Sequence, residues 1–218
     1  MEYSGLEQAA QQGNIVVIIN YRLAMYGFLN YYNELEKKTV GGNYGLKDIQ
    51  VAMEFVYNHA EELGGNQNNI MINGQSGGAW AIGALLLEPK TSTLANVALA
   101  QSGGALNGFS LTLMYKQETE EFNKNIDTLC DTAECESATT TAQKWEIIKN
   151  MDALDLWLKF SELLIYPGPI TNDGIFYTEN VMEKFKRGDL ETSMTYVVGI
   201  NSFEGISSKI LLYMLYTC

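Results

Sequence analysis

Five residues, Gly74-Gln75-Ser76-Gly77-Gly78, have the types and spacing to present a nucleophilic serine. The pattern G-x-S-x-G suits a strand that turns into a helix so tightly that the central residue takes a strained backbone conformation. Glycines two before and two after leave room for the backbones to cross. The serine hydroxyl then projects at the carboxyl end of the strand, where open α/β sheets place their sites. A helix starting at the serine aims free amides and the positive end of its dipole at the same point. Such groups stabilise an oxyanion, and the amide of Gly77 would be one donor. Alone, the pattern also fits a glycine-rich loop carrying an ordinary serine, so the flanking elements must decide.

Those elements have the required form. Asn69 to Asn73 reads as a short apolar strand, and the apolar run Ala79 to Leu87 reads as a helix that Glu88-Pro89 ends. Upstream, Ile15-Val16-Val17-Ile18-Ile19 is a continuous β-branched run, expected as a strand buried on both faces. Gly41 to Gly45 reads as a loop. A helix follows, with Asp48 near its start, Ile49, Ala52, Met53, Val56 and Ala60 at helical spacing, and Gly64-Gly65 as its stop. Further strands are expected at Val97 to Ala100 and Tyr196 to Ile200. The stretch 110–165 reads as helical and more polar, with Thr139-Thr140-Thr141 marking a loop. Strands alternating with helices predict an α/β fold with a mostly parallel sheet. We expect one domain over 1–218, with about 110–190 as an insertion beside the sheet. There is no internal repeat and no low-complexity tract.

Composition narrows the function classes. Hydrophobic residues make up 46% and charged residues 18%, a globular balance rather than a disordered one. The net charge of −12 argues against nucleic acid and anionic lipid as partners. The sole histidine, His59, leaves no zinc-ligand pattern with Cys130, Cys135 and Cys218. No metal or cofactor is expected. Cys130 and Cys135 are close enough to staple a short loop, and equally compatible with two free thiols. Met1 to Gly5 is polar and does not look like a secretory signal. The apolar runs 15–19 and 210–216 are too short to span a bilayer.

Several motifs together resemble the type-B carboxylesterase and cholinesterase family. Asn20-Tyr21-Arg22-Leu23 and Gly27-Phe28-Leu29 are similar to N-Y-R-L-G…G-F-L. Gly42 to Asp48 is similar to G-N-x-G-L-x-D, and Gly64-Gly65-Asn66-Gln67-Asn68-Asn69-Ile70 to F-G-G-D-P-x-x-V. Gln101-Ser102-Gly103 matches the family's Q-S-G, and Asn172-Asp173-Gly174 resembles its D-G turn. Their order and spacing hold over nearly the whole chain. The flanking motifs argue against a lipase or thioesterase sharing only the elbow.

The resemblance implies an α/β-hydrolase fold and cleavage of a small-molecule carboxylic ester by a serine, glutamate and histidine triad. It carries Ser76 over as nucleophile and Gly77 as oxyanion donor. The segment Gly199 to Gly205 matches G-x-N-x-D-E-G with phenylalanine in place of aspartate, so Glu204 is the candidate acid. It also implies a disulfide, with Cys130 like the first partner and Cys135 nearer than the usual second. That disulfide and the family's habit suggest a secreted or membrane-anchored protein in an oxidising compartment.

The chain also departs from the pattern. No histidine follows Glu204, and no H-G-G-G loop precedes Asn20. We therefore expect an interior fragment with weak or no esterase activity alone. His59, near a helix C-terminus, is read as structural. Gln75 replaces a common glutamate, as in juvenile-hormone-esterase-like members. The neutral amide weakens a reading in which the substrate is cationic. The alternative is a non-catalytic, cholinesterase-like adhesion or binding module. The retained Ser76 and Glu204 favour the enzyme. The sequence leaves the oligomeric state open.

Overall fold

A computed structural model describes residues 5–104, 118–131, 133–162, 171–179, 181–189, 193–202 and 204. Helices α1 (Leu6–Gln12) and α2 (Ala24–Phe28) precede a hairpin of β1 (Asn30–Asn33) and β2 (Lys38–Gly41). Then come α3 (Tyr44–His59), β3 (Met71–Gln75), α4 (Gly77–Leu85), α5 (Pro89–Ser92) and β4 (Val97–Gln101). Helix α6 (Glu118–Leu129), a 3-10 turn (Ala133–Ser137), α7 (Thr141–Asn150) and α8 (Ala153–Glu162) follow. The described elements end with α9 (Val181–Lys186) and β5 (Thr195–Gly199).

Strands β3, β4 and β5 form a parallel sheet in that order, with Gln75, Gln101 and Gly199 side by side at its carboxyl edge. Parallel neighbours need a crossover, and α4 supplies it between β3 and β4. Its Ala79, Ala81, Ile82, Ala84 and Leu85 are buried, as are Ala98 and Ala100 on β4. Small residues on both sides let helix and sheet approach closely. Leu46, Ile49 and Met53 on one face of α3 complete this core with Phe28 and Phe176.

A second core lies against the hairpin. Tyr31, Ile126, Leu129, Trp145, Ile148 and Leu156 fill it. Cys130 and Cys135 form a disulfide there, between the end of α6 and the 3-10 turn. Spacing had left the pair open; burial of both sulfurs' residues beside Leu129 and Trp145 places them together. Thr140 starts α7 through a capping box. Its Oγ1 accepts from the Gln143 amide (3.2 Å), and Gln143 Oε1 accepts from the Thr140 amide (3.1 Å).

Two expectations are corrected, and one element is additional. Ile15 to Ile19 forms no strand ladder, and Ile15, Val17 and Ile18 are exposed, because no described strand pairs with them. Helix α3 starts at Tyr44, so Asp48 sits in its second turn, where it binds Arg22 rather than the first amides. The β1–β2 hairpin was not anticipated; the short strands Asn-Tyr-Tyr-Asn and Lys-Thr-Val-Gly lack a clear alternating pattern. The other strands and α4 differ from expectation by only one or two residues at their ends.

A polar knot fastens residues 171–177 to α3 and α4. Asn43 exchanges two hydrogen bonds with the Thr171 backbone, donating through Nδ2 (2.7 Å) and accepting at Oδ1 (3.1 Å). Lys47 Nζ lies 2.9 Å from Asp173, whose Oδ1 also accepts the amides of Ile175, Phe176 and Tyr177. Tyr177 Oη donates to the Ala84 carbonyl at 2.6 Å. Burial would raise the Asp173 pKa, but Lys47 and the amides of Ile175 and Phe176 outweigh it and hold the carboxyl below its ordinary 3.8. A depressed carboxylate contributes stability that is present above the unfolded value and lost as pH falls through the folded one. Asp173→Asn should cost about 2 kcal/mol in urea unfolding at neutral pH. It should also flatten the acid limb of the stability curve below about pH 4.

Candidate functional site

The carboxyl edge of the sheet carries the candidate residues Ser76, Gly77 and Glu204. Strand β3 ends at Gln75 and α4 begins at Gly77, so Ser76 alone makes the turn. It sits at φ 53° and ψ −116°, outside the helical and extended regions, as a side chain rarely does. Three contacts hold it there. Its amide donates to the Gln101 carbonyl of β4 (2.9 Å), and its carbonyl accepts from the Trp80 amide of α4 (3.0 Å). Behind it, Gly74 packs on Gly78: a Cβ on Gly74 would lie 2.5 Å from the Gly78 carbonyl carbon. The first glycine of the pattern is thus needed for a backbone crossing. Gly77 and Gly78 have open space where a Cβ would point, which leaves the mouth of the turn clear. Ser76 and Gly77 are both exposed, and the first amides of α4 have no partner within the helix.

Strand β4 ends in the same way. Gln101-Ser102-Gly103-Gly104 repeats the tetrapeptide Gln75-Ser76-Gly77-Gly78, the two glutamines are partners in the ladder, and Ser102 also has φ 53°. The Ser102 amide donates to the Gly199 carbonyl of β5 (2.8 Å). Matching hydrogen bonds therefore link all three strand ends. The recurrence of Gln-Ser-Gly-Gly was the legible signal, and reading Gln101-Ser102-Gly103 only as a family marker missed it.

Glu204 follows β5 at the same edge, with β4 standing between it and Ser76. It is exposed, and its Oε2 accepts from the Asn201 amide (2.7 Å), a bond within its own turn. Phe203 and Gly205 of the same motif lie outside the described residues. The Nδ1 of His59 lies 2.8 Å from the Phe55 carbonyl of its own helix, and its ring stacks on Phe55.

The upstream motifs converge on Arg22. Its amide, Nε and Nη2 all bond the Asp48 carboxylate, at 2.9, 2.8 and 2.7 Å. The side-chain hydrogen bond from Arg22, ahead of its charge, lowers the Asp48 pKa. A Cβ on Gly27 or Gly45 would lie 2.1 or 2.5 Å from the Arg22 carbonyl oxygen. Asn-Tyr-Arg, Gly-Phe-Leu and Gly-Asn-Tyr-Gly-Leu-Lys-Asp are thus parts of one packed junction.

Comparison with known proteins decides the lineage. The carboxylesterase family model matches residues 1–214. The chain belongs to the carboxylesterase family. It is 28% identical over 208 residues to cholinesterase 2 of Branchiostoma lanceolatum, covering 94% of this chain and 58% of that protein. It is 37% identical over 106 residues to a juvenile hormone esterase of Tribolium castaneum, covering 49% of this chain and 17% of that one. A carboxylesterase structure from Geobacillus stearothermophilus aligns at a TM-score of 0.71 and 25% identity, over 98% of this chain and 43% of that chain. This carboxylesterase-family chain therefore has an α/β-hydrolase fold and spans about half the length, or less, of these relatives.

The turn geometry makes a sharp prediction for two neighbouring glycines. Gly74→Ala should lower stability by about 3 kcal/mol or abolish soluble folding, since backbone rather than a flexible side chain blocks the Cβ. Gly77→Ala should stay within about 1 kcal/mol of the parent in the same denaturant titration.

Proposed function

We propose that this carboxylesterase-family chain carries the nucleophile half of a serine ester-hydrolase site. The observation that carries the reading is the backbone of Ser76, a non-glycine residue at φ 53° between a parallel strand and a helix N-terminus. Ser76 attacks the carbonyl of a small-molecule carboxylic ester while an imidazole base takes the Oγ proton and passes it to the departing alcohol, and the acyl group stays on Oγ until water removes it. The Gly77 amide donates to the oxyanion of each tetrahedral intermediate. Glu204 is the acid that orients and stabilises an imidazolium, after turning from Asn201 toward the site. Gln75 places no charge beside the nucleophile, which favours an uncharged ester over a cationic one.

The 218 residues alone are weak or inactive. The one histidine, His59, is bound to its own helix, so Ser76 has no base among the described residues. The names of the relatives, cholinesterase and juvenile hormone esterase, agree with an ester substrate, and the whole protein's reaction is inferred on that basis. The disulfide suits an oxidising compartment, secreted or membrane-anchored. Among the described residues no helix is long and apolar enough to cross a membrane.

Exposure of the purified chain to a p-nitrophenyl ester, with and without added imidazole, tests the reading. Without imidazole, turnover should be at least about 10³-fold below that of an intact esterase. With imidazole as external base, mass spectrometry should find the acyl group on Ser76 and none on the Ser76→Ala chain. Turnover near the intact-esterase rate would overturn the inactivity. Absence of any acyl-Ser76 would favour a non-catalytic binding module.

A further inference from the structure

The Gln-Ser-Gly-Gly recurrence places an unassigned residue against the nucleophile turn. Because Ser102 takes a positive φ, the chain leaving β4 bends so that Gly103 lies over the Ser76 carbonyl. A Cβ on Gly103 would sit 2.7 Å from Ser76 O, 3.0 Å from Ala79 Cβ and 3.5 Å from the Trp80 amide nitrogen. Those three atoms belong to the turn and to the first turn of α4. Ser76 is thus gripped from two sides by one segment: Gln101 accepts its amide, and Gly103 closes on its carbonyl. Among the described residues, a Cβ on Gly104, the next residue, would meet the Tyr196 hydroxyl, at 3.1 Å.

A non-glycine residue at positive φ relaxes unless its surroundings over-determine it. The Trp80 hydrogen bond and the Gln101 hydrogen bond fix two backbone atoms of Ser76, but both survive small rotations of the peptide. Close packing against the carbonyl does not. We propose that Gly103 is a positioning residue for Ser76, the absent side chain letting the end of β4 press the nucleophile turn into its positive-φ conformation. This rests on the reading of Ser76 as nucleophile. Gly103 itself touches no reacting atom; a methyl group there pushes the Ser76 peptide, and with it Oγ and the Gly77 amide, out of place.

The test compares Gly103→Ala with Gly104→Ala in the 218-residue chain. Backbone ¹³C shifts and the HN–Hα coupling of labelled Ser76 report its φ, and circular dichroism reports the fold. Gly103→Ala should keep the fold, lose the positive-φ signature of Ser76, and cut imidazole-dependent acylation by p-nitrophenyl ester at least about tenfold. Gly104→Ala should leave both unchanged. If Gly103→Ala does not fold, Gly103→Ala/Ala79→Gly removes the Ala79 contact and leaves only the clash with the Ser76 carbonyl. A folded variant of either kind with the Ser76 signature intact would overturn the proposal. So would failure of both to fold, because Gly103 would then be a folding residue. If the parent is never acylated, the nucleophile reading falls, while the Ser76 signature still decides whether Gly103 sets the turn.

Discussion

Everything at the carboxyl edge depends on one steric constraint: backbone must pass backbone with no Cβ between. At Gly74 the strand crosses the start of α4, and at Gly103 the end of β4 crosses the Ser76 carbonyl. Ser76 sits between these crossings and carries the positive φ that joins them. The cost of that conformation is of order 1–3 kcal/mol, and it persists only because strand pairing and helix packing both demand it. The apolar core supplies that demand. Ala79 and Ala81 on α4 and Ala98 and Ala100 on β4 are small and buried, so the helix settles close to the sheet and drives the turn tight.

The same logic recurs upstream, at lower strain. Gly27 and Gly45 converge on the carbonyl of Arg22, and the Arg22 side chain reaches over to Asp48. That ion pair is half exposed and is worth little as an electrostatic bond. Its significance is geometric: three hydrogen bonds from one residue to one carboxylate fix the angle between the extended segment and α3. The Asn43–Thr171 and Lys47–Asp173 contacts on the same helix do the corresponding work for residues 171–177. Helix α3 is therefore a scaffold for two distant segments, and its own apolar face binds α4 and the sheet.

How much of this the sequence disclosed depends on the range of the interaction. Strand β3, the turn and α4 were legible because the signals are local: apolar run, glycines, apolar run. The class of fold followed from alternation. Ile15 to Ile19 misled for the opposite reason. A β-branched run predicts burial on both faces only if neighbours exist to pair with it, and no described strand does so. Asp48 was read as a helix-start carboxylate because an acid near an N-terminus usually is one; a guanidinium 26 residues away claimed it instead. Glu204 could be found in the sequence only by motif, and its bond to Asn201 could not be found at all. The disulfide lay between these cases, since spacing permitted it and burial decided it.

The two Gln-Ser-Gly-Gly segments separate what local sequence does from what its surroundings do. Both follow a parallel strand, their glutamines are ladder partners, and both serines adopt φ 53°. Local sequence is therefore compatible with a positive-φ turn at both places, and the contacts around Ser76 hold it there. Local sequence does not suffice for a nucleophile. After Ser76 the glycines open a helix, whose first amides have no partner within the helix and whose dipole favours negative charge there. After Ser102, Gly103 and Gly104 are not helical, and Gly103 packs on the Ser76 carbonyl. One serine thus receives an electrostatic environment suited to an oxyanion, and the other ends in a wedge that shapes the first. The tetrapeptide accommodates positive φ twice, and the helix at only one copy makes that turn a candidate for chemistry.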